Sequence, residues 1–479
     1  MAGIGVKLNK IFEKKSILSG MFGVAYSTTA TVAPMFLVIG VVILMQWVMG
    51  YSKIAYSSRE LFASTILYIF IFSLLCAAPF SAVLSKYLSD TIFEERYEDI
   101  MPCFYVGLVM NVLLGSVVGI PFCVRETIVG GVPIYYTMTT YLGFMSLILV
   151  FYSMLYLSIT KDYSKITLYF FIGMFTAFLL SLWFRFRLEF EVTYSVLLAL
   201  VIGFCIVASL EIARIHAYFH DNSGRYRQVL KYFRKYWQLI AVNFIYVLGL
   251  YIHNFVFWTT DEHTIVVKSF VSHTTYDMAT CLAMFTNLSA TVIFISRIEM
   301  HFHERYRAYS EAVIGGRGID IRNAKSRMFR ALSTEIMSLA RLQFIITVVA
   351  YLFCIILLPL FGFGGETMQI YPLLAVAYFI MFLMYALILF LYYFNDLYGA
   401  ILTSLAFLIG TFAGALLAIH LPVIWYGTGL LIGASAGWIT GYLRLHWIEV
   451  HIDEHIFCNG HILKSGAGSR PDNRVYQWK

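Results

Sequence analysis

The sequence predicts an all-α polytopic membrane protein, with about twelve transmembrane helices in two six-helix lobes around a central cavity. Three observations lead there. The 479 residues are 60% hydrophobic and only 13% charged, with a mean hydropathy of +0.77, a balance foreign to water-soluble domains of this size. The apolar residues run continuously rather than alternating, so they read as spanning helices and not as barrel strands. Finally, one charged phrase is written twice, as "FEERYEDI" at 93–100 and "FHERYRAY" at 302–309.

Residues 1–20 form an amphipathic segment, with Leu8, Ile11 and Phe12 set against Lys7, Lys10, Lys14 and Lys15. No apolar stretch followed by a cleavage site opens the chain, so the segment reads as retained. Spans then follow at 22–48, 61–86, 103–123, 139–160, 166–184 and 192–216, giving a first lobe over 21–216. The polar, basic stretch 217–237 with its Asn-Ser-Gly turn is the lobe linker. Further spans at 238–259, 274–296, 341–361, 373–394, 398–420 and 423–443 make the second lobe, 238–443, which includes a long loop at 297–340. "YYFNDLYG" and "IHLPVIWYG" supply the turns between the last three spans. In the loop, Phe329, Leu332, Ile336 and Leu339 fall at helical spacing beside Arg322, Lys325, Arg327 and Arg330. That pattern predicts an amphipathic helix before the ninth span, on the inner leaflet or against a partner subunit. A tail, 444–479, completes the chain.

Charge sets direction, because cytoplasmic segments retain Lys and Arg. With the N-terminus inside, only Lys53, Arg59, Arg125, Arg185, Arg187 and Lys268 of the 34 Lys and Arg lie outside. Both termini are then cytoplasmic. Under this topology the two charged phrases follow the second and eighth spans, equivalent places in two parallel repeats. Each has a basic residue where its span leaves the membrane, Lys86 and Arg297. Glu95 and Arg96 in one lobe, with Glu304 and Arg305 in the other, are candidates for a cytoplasmic gate; ordinary solvated, topology-setting loops are the alternative.

The net charge of +7 sits in loops bordering spans, which suits anionic headgroups and gives no reason to expect nucleic acid. "AVIGGRGIDI" lacks the spacing of a phosphate loop, so no nucleotide motor is visible. The seven scattered Cys form no CxxC pair. In the tail stretch "HWIEVHIDEHIFCNGH", His451 and His455 would share a helix face with Cys458 and His461 close behind, ligands that zinc accepts, but His is common at membrane borders and an exposed tail accounts for them; no cofactor is expected. Polar groups within the spans are costly and therefore informative. Asn111, Asn243, His253, Asn254, Asp277 and Glu299 lie in or at the ends of spans, as does Arg297; Arg185 and Arg187 flank the fifth. Together they suggest a polar cavity for transport, against the plainer reading of helix–helix hydrogen bonds and snorkelling ends.

The segment "YDMATCLAMFTNLSATVIFISRIEMHFHERYRAYSEAV" at 276–313 resembles the central signature of the PelG family, transporters of the Pel exopolysaccharide. "MAGIGVKLNKIF", "SKYLSDTIFEERYEDIMP" and "LYYFNDLYGAIL" resemble the same family in order, over residues 1 to about 458. The first span departs from it, with Ala33-Pro34-Met35 where the family shows Gly-Pro before an aromatic. The resemblance implies the fold of the multidrug/oligosaccharidyl-lipid/polysaccharide exporter (MOP) superfamily and a non-enzymatic role in biofilm-matrix synthesis. It implies a multi-pass protein of the bacterial inner (plasma) membrane, with a polysaccharide cargo rich in N-acetylgalactosamine and galactosamine. The implied partners are the cytoplasmic glycosyltransferase PelF and the membrane proteins PelD and PelE. A flippase for a lipid-linked oligosaccharide, or a non-transporting scaffold anchoring a synthase, are the alternatives.

Overall fold

The computed structural model describes residues 17–159, 163–260, 264–267, 270–284, 302–357, 359 and 365–459. Six helices form the first lobe: α1 (Ile17–Val48), α2 (Tyr56–Phe93), α3 (Ile100–Ile128), α4 (Ile134–Ile159), α5 (Tyr163–Phe186) and α6 (Val192–Tyr218). A short helix, α7 (Tyr226–Lys235), occupies the linker. The second lobe contains α8 (Trp237–Phe257), α9 (274–284), α10 (His303–Gly315), α11 (Gly318–Leu357), α12 (Glu366–Tyr393), α13 (Leu397–Ala418) and α14 (Thr428–Asn459). Between α8 and α9 sits an antiparallel hairpin, β1 (Thr264–Val267) with β2 (Phe270–Ser272), in which Ile265 pairs with Val271.

Among the described residues, ten helices are long and apolar enough to cross a membrane, and α1 adds a shorter apolar stretch over Ala33–Val48. The eighth predicted span is described only over 274–284. This is a multi-pass membrane protein. Its outer surface says so too: on α3 the exposed side chains Val109, Leu113, Val117 and Val124 share one face at i, i+4, i+8 and i+15, a stripe suited to lipid tails. In the first lobe α2 packs on α3 and α4, α4 on α6, and α6 on α5; in the second, α14 packs on both α12 and α13, and α13 on α8.

The α13–α14 contact rests on glycine. Gly410 and Gly414 of α13 face Gly433 and Gly429 of α14, and a Cβ on Gly410 would meet the Gly433 Cα at 2.9 Å. Glycines recur every fourth residue at 429, 433, 437 and 441. Lipid tails are as apolar as leucine, so close backbone packing rather than hydrophobic burial joins such helices.

Two expectations change in detail. The predicted amphipathic helix and the ninth span are one helix, α11, because no Gly or Pro interrupts the chain between Gly318 and Leu357. At 1.5 Å per residue it is about 60 Å long, roughly twice the hydrocarbon thickness. Of its predicted apolar face, Phe329, Leu332 and Leu339 are buried in protein, Phe329 stacking on Phe394 with centroids 5.7 Å apart. The two charged phrases also differ: 93–100 makes a turn, with Glu95 at φ 57° and a 3-10 turn at Tyr97–Asp99, whereas 303–309 is helical. Pro102 in the first turn of α3 explains this, since it fits a helix start and forbids continuous helix through the phrase before it. The linker also contains a helix, α7, on which the expectation was silent. Arg297, Glu299 and Lys268, and the amphipathic segment over 1–16, lie outside the described residues.

Candidate functional site

The lobes meet along α2 and α8. The junction has a hairpin end and a linker end. At the hairpin end the Tyr68 ring of α2 stacks on Trp258, 4.9 Å between centroids and 5° between planes. Phe270 of β2 packs edge-on against Tyr68 and against Phe122 of α3. Hydrogen bonds join the same surfaces. The Tyr68 hydroxyl donates to the Val271 carbonyl at 2.8 Å, the Ser64 hydroxyl to that of Ser272 at 3.2 Å, and the Thr274 hydroxyl to Glu60 Oε2 at 2.9 Å. Stacked aromatic pairs contribute about 0.5–1.5 kcal/mol beyond their buried area, so this seal is firm yet separable.

Behind it lies a buried polar cluster built on Asp277. Its carboxylate accepts from Asn254 Nδ2 at 2.7 Å, from Trp258 Nε1 at 2.9 and 3.1 Å, and from the His273 backbone N–H at 3.1 Å. The last contact is a helix start with reciprocal capping: Asp277 reaches back to the N–H of His273, while His273 Nδ1 accepts from the Tyr276 N–H at 3.3 Å. Both satisfy amides that the first turn of a helix leaves without partners. His253, also buried, meets the Tyr276 hydroxyl through Nδ1 at 2.7 Å. The carboxylate of α9's first turn thus draws its partners from α8, from Trp258 just past its end and from His273, the residue after the hairpin. It fixes Trp258 by its indole N–H for the stack on Tyr68.

Three predicted cavity residues, His253, Asn254 and Asp277, therefore come together. Asn243 lies elsewhere on the junction, its Nδ2 donating to the Ala78 carbonyl of α2 at 3.3 Å. Asn111 is buried in α3 and bonds within its own helix, to the Gly107 carbonyl at 2.8 Å. Arg185 donates to the Phe190 carbonyl at 3.1 Å and so belongs to the α5–α6 turn, where Arg187 is exposed.

At the linker end α7 takes up the charged groups of the first lobe. Lys86 lies over the Tyr236 ring at 5.0 Å, Tyr232 donates its hydroxyl to Asp90, and Phe233 packs on Phe80. Burial, reinforced by the Asp90 carboxylate, pushes the Tyr232 phenol far above its ordinary pKa, so it stays a donor. Asp99, fully buried, accepts from the Ser223 hydroxyl at 2.5 Å and pairs with Arg96 at 2.8 Å and Arg225 at 3.5 Å. Of the predicted gate residues, then, Lys86 meets the linker directly and Arg96 shares Asp99 with it. Glu95, Glu304 and Arg305 are exposed. Among the described residues, the first phrase pairs within itself, Arg96 with Glu94 at 2.5 Å, and with the linker, Glu98 and Asp99 meeting Arg225 at 3.6 and 3.5 Å, while Arg307 of the second pairs with Glu311 at 2.9 Å on its own helix.

Sequence reasoning passed over Trp258, Tyr68 and the Asp396–Arg444 pair. Asp396 caps α13 through the Gly399 N–H at 3.1 Å and receives both Arg444 Nε at 2.5 Å and an Arg444 terminal nitrogen at 3.2 Å. The Asn395-Asp396 turn three residues before Gly399 carried a capping signal; nothing in the spacing pointed 48 residues on to Arg444.

The structure resembles solved transporters throughout. An outward-facing multidrug-resistance MATE family transporter of the MOP superfamily superposes with a TM-score of 0.59 at 14% identity, covering 89% of this chain and 96% of that one. An inward-facing conformation of such a transporter gives 0.59 at 13% identity, covering 88% and 96%. A MOP superfamily transporter from Pyrococcus furiosus Vc1 (DSM3638), described by the reverse polarity of its binding pocket, gives 0.56 at 15%, covering 88% and 95%. No curated protein matches in sequence. The family model described as "PelG: Putative exopolysaccharide Exporter (EPS-E)" matches residues 1–457. On that match the chain belongs to the PelG family, a membrane transporter family, and it carries the MOP transporter fold.

Proposed function

We propose that this transporter exports the Pel exopolysaccharide, a polymer rich in N-acetylgalactosamine and galactosamine, across the bacterial inner membrane as the matrix of a biofilm is made. On this reading the linker end and both termini are cytoplasmic, the hairpin end faces outward, and the protein does no covalent chemistry. PelF would synthesise the polymer beside the linker end, with PelD and PelE as membrane partners. The observation that carries the proposal is the lobe junction itself. Its hairpin end is closed by a small aromatic cluster, with Tyr68 and Phe72 stacked on Trp258 and Phe255 and Phe270 edge-on against Tyr68 and Phe122, and by a few hydrogen bonds, with Asp277 and its donors on one side only. Such a contact can part as a unit while each lobe keeps its core, which is what two lobes rocking about a central path require.

The test is reconstitution in vesicles with the glycosyltransferase and its sugar nucleotide. Polymer should reach the lumen when this chain is present and remain outside when it is omitted. Accumulation of a lipid-linked oligosaccharide instead would favour a flippase. Export that persists without the chain would leave it a scaffold.

A further inference from the structure

Helix α7 divides its surface into three arcs. Val229 and Phe233, at i and i+4, are buried against the first lobe. Tyr226 and Leu230, also i and i+4, are 40% and 49% exposed, and Trp237 just past the bend at Tyr236 is 52% exposed. Arg227, Lys231 and Arg234, at i, i+4 and i+7, are exposed and form no ion pair among the described residues. No acidic residue occurs between 222 and 260, and the carboxylates that meet this segment from the first lobe, Asp90, Glu98 and Asp99, engage Tyr232 and Arg225. Around the helix the order is protein, apolar, basic.

That order is the order of a bilayer border met from the protein outward: acyl chains, then phosphates. Position agrees. The helix packs on α2 and α3 where the turn at 93–100 joins them, which is where two spans leave the membrane. Tyr and Trp favour that depth, and juxtamembrane Lys and Arg are drawn to anionic headgroups. A helix of ten residues would adhere poorly alone, but this one is already held by Tyr232, Phe233 and Arg225.

We propose that α7 is an in-plane anchor whose Arg227, Lys231 and Arg234 bind the headgroups of anionic phospholipids, with Tyr226, Leu230 and Trp237 seated at the acyl boundary. Because α7 is the covalent bridge between the lobes, lipid there fixes the pivot about which they move. An acidic protein partner would meet the basic arc but would leave the apolar arc between it and the lobe without a role.

Two experiments on the full chain test this, and both are read without transport, so failure of the exporter reading would leave them standing. In native mass spectrometry from detergent, phosphatidylglycerol should be retained at least about tenfold better than phosphatidylcholine, since each basic group near an anionic surface strengthens attachment on the order of fivefold. Arg227→Gln/Lys231→Gln/Arg234→Gln should lose about tenfold of that preference, and Arg227→Lys/Lys231→Arg/Arg234→Lys should keep it. Equal retention by wild type and the neutralised chain overturns the proposal, as does displacement of the lipid by millimolar inorganic phosphate, which would make the site one for free anions. Should the neutralised chain misfold, a photo-crosslinking residue at Leu230 should capture phospholipid in vesicles and one at Gln228 should not; equal capture at both also overturns it.

Discussion

At the scale of single residues, the junction depends on a carboxylate that no cation neutralises directly among its described hydrogen-bond donors. Asp277 is satisfied by an amide, an indole and a backbone N–H. Removing an acceptor in a buried site strands its donors, and each stranded donor costs about 1–3 kcal/mol. Asp277→Ala should therefore destabilise the chain by about 3 kcal/mol, and Asp277→Asn by less, because an amide oxygen still accepts. Thermal unfolding in detergent measures this; a midpoint unchanged in Asp277→Ala would show that the cluster carries little weight. The polar residues of this cluster were legible as rare, expensive groups in apolar spans, which is why His253, Asn254 and Asp277 stood out. Trp258 and Tyr68 were not, because a chain with 8 Trp and 34 Tyr offers many equivalent candidates for a membrane border. What singles out these two is a stacking geometry between residues 190 positions apart in number.

At the scale of elements, glycine spacing decides how α13 and α14 approach. A Cβ on Gly433 would lie 1.9 Å from Thr411 Oγ1 and 2.5 Å from the Thr411 backbone nitrogen, and backbone cannot step aside without moving a helix. Gly433→Val should cost about 3 kcal/mol or more through overpacking. Gly40→Ala, in α1 with nothing within 4 Å of the new methyl, should be neutral or stabilising by up to about 1 kcal/mol from helix propensity. Folded yield and unfolding midpoint of the two variants give the comparison, and similar values would deny the glycine ladder its role. The ladder was readable as a four-residue repeat. The continuity of α11 was readable too, from the lack of any breaker, but attention to amphipathicity suggested two pieces where the backbone makes one.

At the scale of the whole molecule, the question is whether the lobes part at the hairpin end. Ser64 and Ser272 place their hydroxyls 3.2 Å apart across the junction, so Ser64→Cys/Ser272→Cys should form a disulfide under mild oxidation. Export should then fall at least tenfold and return on reduction, while either single substitution stays near wild type. Full export by the crosslinked chain would mean that this end need not open. The charged phrases make a related point about scale. Their equivalence in the repeat came from topology, yet in the structure one is a turn tied to the linker and the other a helix start, because Pro102 follows one while no Pro or Gly interrupts the other before Gly315.

Composition and the length of its apolar runs determined that this chain lives in a membrane as a bundle of helices, since exposing that many apolar side chains to water is thermodynamically closed to it. Local chemistry likewise determined the turns at Asn395-Asp396 and Pro422. Only the tertiary structure decided which polar groups meet, that α7 clasps the first lobe, and where Tyr68 finds Trp258. Those contacts join positions far apart along the chain, and hydrophobic periodicity, which reports how a segment faces its surroundings, contains nothing about which distant segment supplies them.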